Sequence, residues 1–287
     1  ALDGATFAYS SNSLPQTGTA SLTTTPTTSG GVYSAYPSGL SINSSTGEID
    51  LAASTIQSYK IFYETSGAGC PNSSTFDLAV TAAGIANNYS MSFDSASSDY
   101  INAGNLNSIN GLQKVTYSFW MNDSSGGASY TIGTDGQLIL MPLINSNRFD
   151  VYLNGTSGSA RIYNNQTLTV LNTNQWHHIV LVIDSTLSTA NQRTKLYIDG
   201  NAYTDSSGTA ITQNATIGTV TTDTNIGRAS GSVPAYFNGK LDEVAIWNTA
   251  LTSTQVSEIY NGTGTNTTKD LTTVSGSNLK YWNRMGD

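Results

Sequence analysis

Trp176-His177-His178-Ile179-Val180, Leu196-Tyr197-Ile198-Asp199-Gly200 and Phe237-Asn238-Gly239-Lys240-Leu241-Asp242-Glu243-Val244-Ala245-Ile246-Trp247, in that order, decide the fold. They are dominated by β-branched and aromatic residues, which suit a pleated, half-buried surface. Two of them contain Asp-Gly or Asn-Gly, the preferred chemistry of primed hairpin turns. The same pairs recur upstream at Asn110-Gly111, Asp135-Gly136 and Asn154-Gly155, each between strand-forming residues. Val115, Tyr117 and Phe119 alternate with Thr116, Ser118 and Trp120, which predicts a strand with two distinct faces. The chain is therefore expected to be all-β, with one short helix from Thr252 to Tyr260. There Thr252 and Gln255 form a capping-box pair, Val256, Ile259 and Tyr260 share a face, and Gly262 stands where a left-handed C-terminal residue is wanted.

Composition narrows the function classes. Of 287 residues only 10% are charged and 38% are hydrophobic, with Gly, Ser, Thr, Asn and Tyr filling most of the rest. Uncharged polar and β-branched residues suit strands with one wet face, as in an extracellular or particle-surface protein. A net charge of −8, with eleven scattered basic residues, excludes a nucleic-acid groove, which needs clustered Lys and Arg. Cys70 is the single cysteine, so neither an intrachain disulfide nor a cysteine-based zinc site is available. No apolar run approaches the roughly eighteen residues of a membrane span. Ala1-Leu2-Asp3-Gly4 lacks the basic stretch and apolar core of a signal peptide. No Gly-x-x-x-x-Gly-Lys-Ser/Thr loop is present, which argues against nucleotide chemistry.

Residues 11–31 are Ser-, Thr-, Gly- and Pro-rich and read as an extended edge or linker. Beyond them Leu40 and Ile42 alternate with polar neighbours, Gly47 supplies a tight turn and Ile49 with Leu51 resumes the pattern. Tyr59–Tyr63 and Phe76–Val80 are further predicted strands. The stretch from Tyr36 to Asp50 resembles the Ig-like and cadherin-like modules of bacterial and phage surface proteins. From about residue 90 onward, the segments that decide the fold resemble the laminin-G-like branch of the concanavalin A-like lectin/glucanase jelly rolls. Met91-Ser92-Phe93-Asp94 with Asp99-Tyr100-Ile101 match its opening strand, and Leu279-Lys280-Tyr281-Trp282 its closing one. The resemblance implies an Ig-like sandwich over residues 1–85, joined near Ala82-Ala83-Gly84 to an antiparallel jelly roll over 86–287. It also implies a polypeptide that continues past Arg284-Met285-Gly286-Asp287.

Catalytic and metal-binding patterns are sparse. His177 and His178 are the only histidines, and neighbours on a strand point to opposite faces, so both do not ligate one ion. Glu48-Ile49-Asp50 imitates the start of a Glu-x-Asp-x-x-Glu glucanase motif, but position 53 is Ala53. Glutamates stand only at 48, 64, 243 and 258, and no other Glu pair has a spacing suited to glycoside hydrolysis, while Asp pairs stay open. No catalytic residue is therefore assigned, and the protein is expected not to be an enzyme. Related jelly rolls often hold one calcium ion through carboxylates and backbone carbonyls. Asp94, Asp99, Asp242 and Glu243 are the candidate ligands for a single structural Ca2+, with Asp94 and Asp242 converging at one sheet edge if the opening and closing strands are neighbours. The competing reading has Asp242 and Glu243 salt-bridged to Arg228 or Lys240. For sugar recognition, aromatic faces on loops are wanted, and Tyr130, Tyr163, Tyr203 and Tyr236 are the candidate platform.

The similarity to modules of marine bacteriophage particles and bacterial surfaces implies a non-catalytic virion structural protein, a capsid decoration or tail-associated fibre. It would display a glycan- or host-surface-binding jelly roll in many copies among other virion or surface proteins. A secreted bacterial adhesin or filament subunit is the alternative, and an accessory module of a carbohydrate-active enzyme a third reading.

Overall fold

The computed structural model describes residues 4–66, 72–125, 131–134, 138–143, 148–153, 159–163, 171, 173–204, 210–219, 222–228, 236–262 and 267–286. The predicted turns Asp135-Gly136 and Asn154-Gly155, and Cys70, lie outside these residues. The chain divides into two compact units, residues 1–85 and 86–287.

The first unit carries β1 (Ser13–Pro15), β2 (Thr19–Ala20), β3 (Val32–Tyr36), β4 (Ser41–Ile42), β5 (Ile49–Asp50), β6 (Ser58–Glu64) and β7 (Ser73–Thr81). One sheet has the order β1-β7-β6-β3, with β1 parallel to β7, and the other is β2-β5-β4. Residues 11–31, expected as an edge or linker, thus supply two short strands. Inward positions of both sheets, including Tyr33, Ile49, Ile61, Tyr63, Leu78 and Val80, close one core with Phe7 and Tyr9. The turn before β5 is local Asx chemistry: Asn43 Oδ1 accepts from the Ser45 and Thr46 amides. Gly47 has φ +74°, and a Cβ there would lie 2.9 Å from the Tyr33 ring. Asp50 uses its carboxylate to accept the Ala53 amide, 3.1 Å away.

The second unit is a jelly roll of two sheets. Its strands are β8 (Met91–Phe93), β9 (Ile101–Asn102), β10 (Lys114–Asp123), β11 (Ile132–Thr134), β12 (Leu138–Leu143), β13 (Arg148–Leu153), β14 (Ser159–Tyr163), β15 (Trp176–Asp184), β16 (Thr194–Ile198), β17 (Asn201–Thr204), β18 (Thr224–Ile226), β19 (Gly239–Trp247) and β20 (Leu279–Asn283). One sheet has the order β17-β16-β15-β10-β19-β20, with β8 also on β19; the other runs β9-β18-β11-β12-β13-β14. Every pairing in both is antiparallel. The core between them takes Tyr117, Phe119 and Met121 of β10, Ile179, Leu181 and Ile183 of β15, Phe149 of β13 and Ile226 of β18.

The other face of the seven-stranded sheet is also covered. Val180, Val182, Tyr197, Ala245 and Trp247 pack with Leu251, Val256, Ile259, Leu271 and Val274, so β15 reads as an almost unbroken apolar run. Helix α1 (Ser253–Asn261) supplies part of this cover, and its capping box is formed as expected. Thr116, on the face that a simple alternation would leave wet, is buried; its hydroxyl donates to Thr249 O and accepts from Leu251 N, anchoring the strap that leads into α1.

Three local expectations are corrected. Gly262 is not left-handed: its φ is −80°, and glycine is needed there for room, since a Cβ would stand 2.9 Å from Glu258 O. Asn238-Gly239 is not a hairpin turn; Gly239 opens β19 at φ +154°, where a Cβ would meet Asn122 O at 2.2 Å. Asn110-Gly111 follows a 3-10 turn over Asn107–Ile109 instead of joining two strands. Asp199-Gly200, by contrast, joins β16 to β17 with φ +50° and +78°, both positive as a type I′ turn requires.

Among the buried polar atoms of the described residues that lack a partner, the Tyr117 hydroxyl lies in the core between the sheets. The Tyr117 hydroxyl is fully buried and has no hydrogen-bond partner, and burial pushes its pKa up. Tyr117→Phe is expected to raise unfolding free energy by about 1 kcal/mol, the desolvation cost of an unmade hydrogen bond. Denaturant titration of parent and variant checks this.

Candidate functional site

The four candidate metal ligands fall into two separate places. Asp94 and Asp99 share a turn after β8: Asp94 Oδ1 accepts the Ala96 amide at 2.8 Å, Asp94 Oδ2 the Ser97 hydroxyl at 3.2 Å, and Asp99 Oδ2 the Asp94 amide at 2.9 Å. Asp242 lies on β19. The register sets Phe93 opposite Gly239 and Met91 opposite Leu241. Asp94 therefore leaves the strand pair at one end and Asp242 at the other, roughly 13 Å apart at the rise of a strand. Their convergence at one edge is thereby overturned. Among the described residues no group of three or more His, Cys, Asp or Glu side chains is placed to hold a metal ion. The four carboxylates do not fit one calcium shell.

Asp242 and Glu243 instead build a buried polar knot. The pairing of β10 with β19 shifts between Ser118 and Trp120, so β19 has one extra residue, and Glu243 takes φ +51° in this bulge. The bulge turns the Glu243 carboxylate toward the opening segment and β20. Asn87 Nδ2 donates to Asp242 Oδ2 at 3.0 Å and to Glu243 Oε1 at 3.2 Å, and Trp282 Nε1 donates to Glu243 Oε2 at 2.6 Å. The salt-bridge partner is Arg284, 3.6 Å away, not the expected Arg228 or Lys240. Register explains the choice: Val244 pairs with Asn283, which brings Arg284 beside Glu243. Burial, assisted by the charge of Asp242, pushes the Glu243 carboxyl up to about 7, against the pull of Trp282 and Arg284. Only 3% of Glu243 is exposed, and the knot ties the opening segment, β19 and β20 together.

The two histidines point to opposite faces. His177 Nδ1 lies 2.8 Å from Asp199 Oδ2, and Asp199 Oδ1 accepts the His178 amide. Burial raises the Asp199 carboxyl, but these hydrogen bonds and the imidazoles pull it below the usual carboxylate value. His178 packs in a triangle of rings with Trp120 and Tyr260, its centroid 5.1 and 6.0 Å from theirs and theirs 6.0 Å from each other. Its Nε2 lies 2.9 Å from Ser118 Oγ, and its Nδ1 has no partner. Burial lowers its pKa to about 4, so it is neutral near pH 7. Ser118, His178 and Asp199 do not form a relay, because Asp199 reaches His177 instead.

Of the four candidate tyrosines, Tyr130 lies outside the described residues. Tyr163 ends β14 opposite Arg148, and its side chain is likewise outside them. Tyr203 is half-buried and packs against the core. Tyr236 belongs to an aromatic and cationic group at the β9 end of the six-stranded sheet, together with Tyr100 and Arg228, which sequence reading did not select. The Arg228 guanidinium carbon lies 4.9 Å from the Tyr100 ring centroid and 5.5 Å from that of Tyr236. Ile101 pairs with Ile226, and Arg228 is bridged to Tyr236, so three backbone segments bring these side chains together. The underlying frame is tight: a Cβ on Gly227 would meet the Phe93 ring at 2.5 Å, and Phe93 packs edge-on against Phe237 at 6.1 Å. Tyr100 is 43% exposed while Arg228 and Tyr236 are half-buried. Rigid aromatic surface beside a cation is suited to stacking and hydrogen bonding, not to bond cleavage.

Residues 94–257, more than half of the chain, match the family model of the concanavalin A-like lectin/glucanases superfamily in its laminin G class. The chain belongs to this superfamily. No curated protein matches it in sequence. Among solved structures it is similar to a candidate carbohydrate-binding protein from Bacteroides ovatus, at 17% identity and a TM-score of 0.49 over 94% of this chain and 83% of that one. It is also similar to tailspike protein 2 of an Escherichia coli O157:H7 bacteriophage, at 13% identity and a TM-score of 0.46 over 68% of this chain and 26% of that one. A third is domain 4 of an extracellular arabinanase from Geobacillus stearothermophilus in complex with arabinotriose, at 15% identity and a TM-score of 0.39 over 79% and 86%. Within this concanavalin A-like jelly roll, the Asp242–Glu243 bulge is a structural lock and the Tyr100–Arg228–Tyr236 group is the candidate contact surface.

Proposed function

We propose that the chain is a non-catalytic adhesion protein whose concanavalin A-like jelly roll binds a surface glycan. The observation that carries this reading is the Tyr100–Arg228–Tyr236 group, a partly exposed aromatic and cationic surface at the β9 end of the sheet. The commitment of Asp242 and Glu243 to Asn87, Trp282 and Arg284 supports a binding role without hydrolysis. Low charge and the resemblance to phage-particle modules support display on a virion, as a capsid decoration or tail-associated fibre. Many copies on one particle then raise avidity by 10²–10⁴ without new contacts.

A glycan array probed with the intact chain tests the binding. Retention of at least one glycan, left uncleaved, with about tenfold weaker retention by the Tyr100→Ala/Tyr236→Ala double variant, is expected from the loss of two stacking rings at about 0.5–1.5 kcal/mol each. Retention of no glycan, or a double variant that binds as the parent does, would overturn it. Antibody labelling of particles from the source culture tests the virion role; label confined to cell-attached filaments would replace it with the adhesin.

A further inference from the structure

We infer that the Tyr100–Arg228–Tyr236 group is a subsite for an acidic sugar, with the Arg228 guanidinium receiving the anionic group of a saccharide whose ring lies against Tyr100. The inference rests on the glycan-binding reading and narrows it to a substrate class.

Arg228 differs from the other arginines whose side chains are described. Arg193 donates to the carbonyls of Leu187, Ser188 and Ile211, and Arg284 pairs with Glu243 and donates to Ala86 O. Arg228 makes no ion pair among the described residues, and this sets it apart, since a buried Nε without a hydrogen-bond acceptor is a feature it shares with Arg284. The carboxylates closest to the group in sequence are occupied: Asp99 accepts the Asp94 amide and Asp223 accepts Asn102 Nδ2 at 2.8 Å. An unmatched guanidinium donor is costly, and Arg228 has no acidic partner among the described residues although the chain carries a net charge of −8. The two tyrosine rings hold the guanidinium in place, so little ordering remains to be done when an acceptor arrives. A planar fork of donors matches a carboxylate, or with less geometric specificity a sulfate. The exposed Tyr100 face beside it accepts the apolar face of a pyranose.

The test uses the intact chain on immobilised oligogalacturonate, a sialylated oligosaccharide and a sulfated galactan oligosaccharide, each beside its neutral counterpart (methyl ester, asialo or desulfated). The parent is expected to bind at least one acidic form about tenfold tighter than its neutral form, as a charge-assisted hydrogen bond warrants, and to lose this preference in high salt. Arg228→Gln is expected to reduce acidic binding to the neutral level, Arg228→Lys to restore part of it, and Tyr100→Ala to weaken both forms. Whether the carboxylated or the sulfated series shows the preference identifies the anion. Equal binding of acidic and neutral forms by the parent, or an Arg228→Gln variant that keeps the preference, overturns the subsite and leaves glycan binding standing. Absence of binding to every glycan, acidic or neutral, overturns the reading on which it rests.

Discussion

Glu243→Gln and His178→Phe will tilt the pH–stability profile in opposite directions, whereas the parent profile between pH 7 and 4.5 will be nearly flat. Glu243 has a folded pKa of about 7 against an ordinary value of 4.5. Its raised pKa means that folding favours the protonated form. The stability it contributes is fully present below pH 4.5 and lost as pH rises through 7, on the order of 3 kcal/mol in total. His178 has a folded pKa of about 4 against 6.5. Folding favours its neutral form, so its contribution is present above pH 6.5 and lost as pH falls toward 4, again on the order of 3 kcal/mol. Between pH 6.5 and 4.5 the two effects oppose each other. With Glu243→Gln the His178 effect is unmasked, and the melting temperature should fall by about 5–10 °C on acidification from pH 7 to 4.5. With His178→Phe the Glu243 effect remains, and the melting temperature should rise over the same range. Loss of the Ser118 contact in the second variant displaces the curve without altering its slope. Melting curves at half-unit pH steps check both; parallel profiles for parent and variants would show that neither group is held as described.

Trp247→Ala is expected to cost 3–5 kcal/mol, lowering the melting temperature by about 10 °C or more. Trp247 has no exposed surface, lies on the face of β19 covered by α1, and donates its indole N–H to Val274 O at 2.8 Å. Truncation leaves a cavity between the sheet and its cover, and a buried carbonyl without that donor. Trp247→Phe keeps most of the volume and loses only the donor, so its cost should be about 1–2 kcal/mol. Chemical denaturation of the three proteins separates packing from hydrogen bonding. A loss below about 1 kcal/mol for Trp247→Ala would mean that the α1 strap does not share the cooperative core.

Features that depend on neighbouring residues were legible in the sequence. The odd positions of 115–121 face the core, Asp199-Gly200 makes its hairpin, and Thr252 with Gln255 caps the helix. What failed depends on register and on covering layers. Thr116 and Ser118 look like a wet strand face because nothing in their own segment reveals that residues 249–259 lie over them. The partner of Glu243 could not be read, since it follows from Val244 standing opposite Asn283 after a bulge. The separation of Asp94 from Asp242 follows equally from register. Tyr236 stands out in the sequence as an aromatic near a loop, whereas Tyr100 reads there as a strand residue and Arg228 as a salt-bridge candidate, since their approach spans more than a hundred residues. An isolated arginine in an acidic chain, close to Gly227, was the available signal.

The most direct test of the central claim is to locate the sugar on the molecule. Backbone amide spectra of the intact, isotope-labelled chain, titrated with the glycan retained most strongly on the array, should show shifts concentrated at Tyr100, Ile101, Gly227, Arg228, Tyr236 and Phe237. Saturable shifts centred elsewhere, with these six amides unmoved, would contradict the assignment of the glycan site.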